Sequence, residues 1–270
     1  MRKMVEIKPM LLSEQFYKDD IFEQYKGYIA QIKENGVYSI IHIKNHKIVG
    51  IRNRNNNPIF YLYPELENVV FSFNEGILIS EICVFKGKSE FFDGKSVFYG
   101  GLDQRRTRKH DKNNPVTAII HDILTIDGKV TINLPYKERY AIIKQNVANS
   151  EFVRVADNYE PEMLWKMVIE RNLEGLILKN PMAVYQMGIR TTDMIKIKNY
   201  KTIEIEVESV EENPKGTKVI GRTDINGENI EVVVQVGGVF NIAKGQKIPI
   251  KYLDIVESGG NKRLIQPTKL

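Results

Sequence analysis

Two short runs between residues 174 and 198 constrain this chain most. Glu174-Gly175-Leu176-Ile177-Leu178-Lys179 and Met194-Ile195-Lys196-Ile197-Lys198 both alternate aliphatic and polar or charged residues. A period of two is the period of a β-strand, so Lys196 and Lys198 project from one face while Ile195 and Ile197 take the other. Any fold must bury the aliphatic side against a core and hold the lysines close together. Like charges held that way repel, and an anion between them relieves the repulsion. A polyphosphate would serve, and so would a nucleic-acid backbone. The plainer reading is a half-buried strand with solvated lysines.

The totals narrow the partners. The chain has 270 residues and a formal net charge of +5, with a pI near 9.0. That length supports one large or two modest domains with real cores. The mild basicity suits a polyanionic partner. Cys83 is the single cysteine and sits in the apolar run Ile82-Cys83-Val84-Phe85, which predicts a buried packing role and no internal disulfide. No apolar run reaches the ~18 residues of a membrane span. Met1-Arg2-Lys3-Met4-Val5-Glu6 has no apolar signal core. These features predict a cytoplasmic, monomeric protein with no membrane association.

Strand patterns dominate the first half, at Tyr38 to Ile43, Ile77 to Phe85 and Val116 to Ile126, the last closing at Asp127-Gly128. Arg54-Asn55-Asn56-Asn57-Pro58 punctuates as a loop. One helix is predicted from Pro135 through Ile143, with Pro135 as its first residue. A second is predicted over Glu160 to Asn172, with Leu164, Met167 and Val168 as its apolar stripe. Composition shifts near residue 200, where Thr202-Ile203-Glu204-Ile205-Glu206-Val207-Glu208 alternates strictly. Four more strands are expected at Thr217–Thr223, Glu228–Gln235, Lys247–Val256 and Leu264–Lys269. Five short strands in the last 70 or so residues predict a small barrel, and an OB-fold is the natural candidate.

The stretch from Glu174 to Lys198, with Tyr185-Gln186-Met187-Gly188-Ile189-Arg190 inside it, resembles the fourth and fifth nucleotidyltransferase motifs of the ATP-dependent DNA ligases. The resemblance extends over most of the chain. Leu78-Ile79-Ser80-Glu81-Ile82 is similar to the third motif, an acid at a strand end, with Ser80 where the family usually has glycine. Gly100-Gly101-Leu102-Asp103-Gln104-Arg105-Arg106 and Leu134-Pro135-Tyr136-Lys137-Glu138-Arg139 are also family-like. Pro115 to Leu124 resembles the segment whose aromatic residue stacks on adenine, with His121 in the aromatic position. Arg54-Asn55 resembles the loop that contacts the nucleotide or the 5′-phosphate. The match is nearest to the ligase domain of bacterial end-joining ligases and to small phage or prophage ligases. The shared motifs also admit a messenger-RNA capping guanylyltransferase, against which the Leu134–Arg139 match argues.

That resemblance implies an α+β architecture. An adenylation (nucleotidyltransferase, ATP-grasp-like) domain of antiparallel sheets and helices would cover 1–199, and an all-β OB-fold 200–270. It implies ATP as co-substrate and Mg²⁺ or Mn²⁺ as cofactor, with nicked double-stranded DNA as the partner. A lysine attacks the α-phosphate, AMP passes to a 5′-phosphate, and a 3′-hydroxyl displaces it. Glu81 and Glu174 would hold the metal. Arg54, Glu81, His121, Lys179, Arg190, Lys196 and Lys198 would contact nucleotide, and Glu81, Glu174, Lys196 and Lys198 would also serve catalysis. Arg105, Arg106, Arg263 and Lys269 would meet DNA. With no separate N-terminal DNA-binding domain, high processivity is not expected.

The family's first motif, Lys-x-Asp-Gly-x-Arg, is the exception. Aligned on Gly27, Gln24 stands at the nucleophile, Lys26 at the aspartate and Ile29 at the arginine. Gln24 and Lys26 on one strand face would lie ~6.5 Å apart. Three readings follow: Lys26 is a relocated nucleophile, a two-residue deletion puts Lys26 at the nucleophile position itself, or self-adenylation is lost and the protein binds nucleotide and nicked DNA without sealing.

Overall fold

A computed structural model describes residues 7–84, 115–214, 216–225, 227–236, 241–258 and 261–269. The chain divides into two compact units, Met1–Ile197 and Lys198–Leu270.

The first unit carries two sheets. One has the order β4-β3-β5-β6-β7, with β8 on β6. Its strands are β3 (Val37–Lys44), β4 (Lys47–Asn53), β5 (Glu75–Val84), β6 (Val116–Ile126), β7 (Lys129–Val130) and β8 (Val153–Val155). The β3–β4 turn holds Asn45 and His46 at φ of 51° and 63°, the double left-handed conformation that tight hairpins need. Asp127 and Gly128 make the same turn between β6 and β7, with φ of 44° and 76°. Ile41, Ile51, Leu78, Ile120 and Ile123 sit in the core of this sheet.

The other sheet has the order β1-β10-β9-β2, from β1 (Leu11–Gln15), β2 (Ile29–Ile32), β9 (Gly175–Lys179) and β10 (Arg190–Lys198). β2 runs antiparallel to β9, and β1 parallel to β10. Ala30, Ile32, Leu176, Leu178, Ile195 and Ile197 share its buried face. The helix α3 (Pro161–Glu170) covers that face with Leu164, Trp165 and Val168. Glu160 caps it by accepting from the Met163 N–H at 2.8 Å. The alternation of β9 and β10 therefore leaves Lys179 and Lys196 on the opposite face.

Helix α2 (Tyr136–Asn146) starts one residue later than expected, because Pro135 at φ −53° and ψ 147° is still extended. Another expectation fails at Gln24 and Lys26. Residues Ile21–Gln24 form the one-turn helix α1, and Tyr25 to Gly27 turn into β2. Gln24 and Lys26 share no strand face, because the period-two geometry begins only at Ile29.

The second unit is all-β, with a five-stranded sheet β13-β12-β11-β14-β17 and a β15–β16 hairpin. Its strands are β11 (Lys201–Asn213), β12 (Gly216–Ile225), β13 (Glu228–Val236), β14 (Lys247–Tyr252), β15 (Asp254–Ser258), β16 (Asn261–Ile265) and β17 (Thr268–Lys269). The single strand expected over Lys247–Val256 is two. β14 pairs with β11 as far as Tyr252, and after a break at Leu253 the chain pairs with β16 instead. Ile205, Val207, Val219, Val232, Val234 and Ile250 make the core. Among the described residues no helix is long and apolar enough to cross a membrane.

Candidate active site

The side chain that organises the site is Lys33. β2 ends at Ile32, and the Lys33 N–H still donates to the Gly175 carbonyl at 3.0 Å. That places Lys33 beside the head of β9, where Glu174 precedes the strand. Lys33 Nζ lies 2.7 Å from Glu174 Oε1, with the two side chains 20% and 14% exposed. The chain then passes through Glu34, Asn35 and Gly36 into β3. The Gly36 N–H donates to Glu81 Oε1 at 3.2 Å. A Cβ on Gly36 would stand 2.4 Å from the Ile82 carbonyl oxygen and 2.7 Å from Cys83 Sγ. Only glycine lets the loop press this close to β5. One strand-to-strand connection thus gathers a lysine and two carboxylates contributed by β5 and the start of β9.

Burial is the largest influence on the acids here. It pushes Glu81 up to about 7, opposed by the Lys33 ammonium and the Gly36 N–H. It pushes Glu34 up to about 8, with the Glu81 carboxylate adding to the rise. Glu174 Oε2 is buried and has no hydrogen-bond partner, while its other oxygen holds Lys33. An unsatisfied buried carboxylate oxygen is costly, and a divalent cation is a fitting partner for it. Among the described residues no group of three or more His, Cys, Asp or Glu could hold a metal. Glu81 and Glu174 suit a cation of the Mg²⁺ kind, which binds through one or two carboxylates plus substrate phosphates. Cys83 is buried and its thiol is pushed well up by that burial, as a packing residue should be.

A second cluster lies along the same face of β2. Gln31 is opposite Ile177, and Ile29 opposite Lys179, so these residues share one side of the sheet with Lys33. Gln31 is fully buried. Its Nε2 donates to Asn158 Oδ1 at 2.8 Å and to Tyr136 Oη at 2.9 Å. Its Oε1 faces His121 Nδ1 at 3.4 Å. Lys179 is only 3% exposed. Its ammonium lies 4.4 Å from the centroid of the Tyr136 ring and donates to the His121 carbonyl at 3.3 Å. Burial lowers its pKa to about 8. The expectation that Lys179 meets phosphate is therefore corrected, because its donors are spent beneath His121.

The remaining expected cations are spread out. Lys196 pairs with Glu14 of the adjoining β1 at 2.9 Å. The Arg54 guanidinium stands 5.5 Å over the Tyr38 ring and acts electrostatically on Glu81. Tyr38 Oη meets Tyr185 Oη at 3.3 Å. Arg190 is exposed and donates to the Leu12 carbonyl. Lys198 begins the second unit, where its amine donates to Tyr200 Oη at 3.3 Å and Gln266 Oε1 at 2.9 Å. Arg105 and Arg106 lie outside the described residues, as does the side chain of Arg263. Lys269 lies on β17.

Lys26 is displaced from its expected role. Its side chain is 80% exposed and paired with Glu23 at 3.3 Å on the outside of the α1 turn. Gln24 is exposed as well, and its amide donates to Asp20 Oδ2 at 2.7 Å. Neither points into a pocket. The residue missed from the sequence is Lys33, in Lys33-Glu34-Asn35-Gly36-Val37-Tyr38. That hexapeptide keeps the lysine and glycine of Lys-x-Asp-Gly-x-Arg at their spacing, with Asn35 for the aspartate and Tyr38 for the arginine. The available signal was a Lys-x-x-Gly between two apolar strand runs.

The family model described as ATP dependent DNA ligase domain matches residues 9–198. A DNA ligase of Pyrobaculum islandicum is 29% identical over 218 residues, covering 75% of this chain and 36% of that protein. The chain spans roughly a third of the length of the first curated relatives it matches. Among solved structures, that of a Lig E DNA ligase, described as DNA binding with a minimal scaffold, is similar with a TM-score of 0.62 at 15% identity, over 98% of this chain and 99% of the other. A mycobacterial DNA ligase D complexed with ATP and MES gives a TM-score of 0.56 at 16% identity, over 97% and 93%. At such identities these structures speak for the fold.

Proposed function

The chain belongs to the ATP-dependent DNA ligase family, and from that membership and the geometry around Lys33 we propose that it seals 5′-phosphate/3′-hydroxyl nicks in duplex DNA with Lys33 as the nucleophile. The observation that carries this reading is the meeting of Lys33 with Glu174 at 2.7 Å, in a loop whose Gly36 also binds Glu81.

In the first step Lys33 Nζ attacks the α-phosphorus of ATP. An N–P bond forms, the P–O bond to pyrophosphate breaks, and the amine loses its proton. Glu174 aims the amine before attack, and its charge-assisted bond fixes the near-attack position. Mg²⁺ or Mn²⁺ held by Glu81 and Glu174 would neutralise phosphate charge. AMP then passes from Lys33 to the 5′-phosphate, and the 3′-hydroxyl displaces it with phosphodiester formation. Lys196 enters as a phosphate contact once substrate replaces Glu14 as its counter-charge, and Arg54 beside Glu81 supplies a second. His121 lies at the base end of the pocket. We read the second unit as an OB-fold that engages duplex DNA, with Lys198, Arg263 and Lys269 as its contacts, and Arg105, Arg106 and Arg190 as contacts from the first unit. Nucleic-acid binding of this kind weakens with salt.

A second reading has one observation in its favour. Asn35 and Tyr38 depart from the family motif, which suits a protein that binds nicks without self-adenylation. The deciding experiment is incubation with Mg²⁺ and α-labelled ATP, then a denaturing gel and peptide mapping. The expected result is acid-labile label on the Lys33 peptide, absent in Lys33→Ala and retained in Lys26→Ala. No label in a protein that still binds nicked DNA would sink the ligase reading. Label on any other lysine would sink the assignment of Lys33.

A further inference from the structure

The network around Gln31 does more than fill space. We propose that His121 reads the exocyclic amino group of the purine with the lone pair of its Nε2, so that the pocket selects a 6-amino purine over a 6-oxo or 6-unsubstituted one. The inference rests on the reading that Lys33 carries the nucleotide, and it assigns the residue that chooses the base.

The argument starts from Gln31. Its Nε2 lies 3.5 Å from the Ala156 carbonyl, in addition to Asn158 Oδ1 and Tyr136 Oη. A backbone carbonyl accepts in every assignment, so it fixes which end of the amide is nitrogen. Tyr136 Oη, accepting from Gln31, donates onward to the His121 carbonyl at 3.4 Å. Gln31 Oε1 is then left as an acceptor, and it faces His121 Nδ1. A neutral imidazole carries one N–H. Opposite a carbonyl oxygen that hydrogen sits on Nδ1, and Nε2 keeps its lone pair.

The imidazole stays neutral. Burial and the nearby Lys179 ammonium bring its pKa down to about 3. Among the described residues Nε2 has no hydrogen-bond partner, and it is not one of the sealed buried atoms. It is an acceptor held open. Gln31 and Lys33 are alternate residues on one face of β2, ~6.6 Å apart. A nucleotide joined at its α-phosphorus to Lys33 therefore lays its ribose between them and its base toward His121. An amino group there donates to Nε2. A 6-oxo group would bring an acceptor against an acceptor, and a bare C6–H would leave Nε2 unpaired.

The test compares rates of label transfer to Lys33 from ATP, purine riboside triphosphate and inosine triphosphate. The wild type is expected to prefer ATP by ~10-fold over the 6-unsubstituted analogue, the scale of one neutral hydrogen bond, and by more over inosine triphosphate. His121→Phe keeps a flat ring and removes the lone pair, so its three rates should fall within ~2-fold of one another. A preference that survives in His121→Phe overturns the proposal. Long-range ¹H–¹⁵N correlation on the wild type gives a readout that needs no variant to fold. The Nδ1–H tautomer is expected, and the Nε2–H tautomer overturns the proposal. If the wild type takes no label at all, the lysyl-AMP reading fails, and base choice is read from dissociation constants for ATP and purine riboside triphosphate. Equal constants then overturn this inference separately.

Discussion

Gly36 shows how much one residue decides here. Its N–H holds Glu81, and its missing side chain lets the loop carrying Lys33 lie against β5. In Gly36→Ala the new methyl meets the Ile82 carbonyl at 2.4 Å, and a backbone oxygen in a paired strand has nowhere to go. The loop must back away and take Lys33 with it. Overpacking of this kind costs ~1–3 kcal/mol of stability. A displacement near 1 Å at a reacting group costs ~10²-fold in rate. The expected result is a lowered melting temperature and a ~10²-fold slower formation of labelled Lys33. Unchanged labelling would show that the Gly36–Glu81 contact does not position Lys33. The same residue explains a misreading of the sequence. Glu81, Glu174 and Lys196 were legible because each sits in a strand run of period two. Lys33 was not, because Asn35 and Tyr38 obscure its motif and Gly27 offers a false anchor. Gly27 has a φ of 86° and ends a turn, so its neighbours Gln24 and Lys26 project from a helix end instead of a strand.

At the scale of elements, the pair Asp122–Arg139 fastens α2 to β6. Arg139 Nε donates to Asp122 Oδ1 at 2.7 Å and Nη2 to Oδ2 at 3.0 Å, and both side chains are nearly fully buried. Nη1 donates to the carbonyls of Leu134 and Ala183. The resemblance of Leu134–Arg139 to ligases offered no catalytic role, and the structure supplies a mechanical one. The arginine fixes the strand on which His121 precedes Asp122, and it reaches the loop after β9. Asp122→Ala leaves a buried guanidinium without its counter-charge, which costs about 3–5 kcal/mol. Chemical denaturation should register that loss. A change under 1 kcal/mol would mean that the carbonyls alone satisfy Arg139. The helices were legible because α3 has a 3.6-residue apolar stripe and a proline at its first position. The partnership of α2 with β6 was not, since nothing in a run such as Tyr136 to Arg139 states which strand its arginine will reach. The break between β14 and β15 was hidden for the same reason: local pattern continues through Leu253, and the change of partner strand is tertiary.

For the whole molecule, a buried cation far from water makes stability depend on pH in an uncommon direction. Lys179 has its pKa brought down to about 8, first by burial and then by the opposing influences of Asp122, which raises it, and Arg139, which lowers it. In the unfolded chain the same amine titrates near 10.5. Between those values the unfolded state binds more protons than the folded one, so stability rises with pH. Below about 8 the folded protein carries the full penalty of a charged amine at 3% exposure. Above 10.5 the penalty is gone. From pH 7 to pH 9.5 the gain attributable to this group is roughly 2 kcal/mol. Other groups titrate over the same range, so the measurement is the difference between wild type and Lys179→Met. Lys179→Met lacks the titration, and the cation–π contact with Tyr136 is lost at every pH alike. Urea unfolding of both at pH 7 and pH 9.5 should show the wild type gaining roughly 2 kcal/mol on the variant. Parallel curves would mean that Lys179 stays charged in the fold, held by the Tyr136 ring and the His121 carbonyl. A charged Lys179 at pH 9.5 would in turn keep His121 neutral over the whole working range.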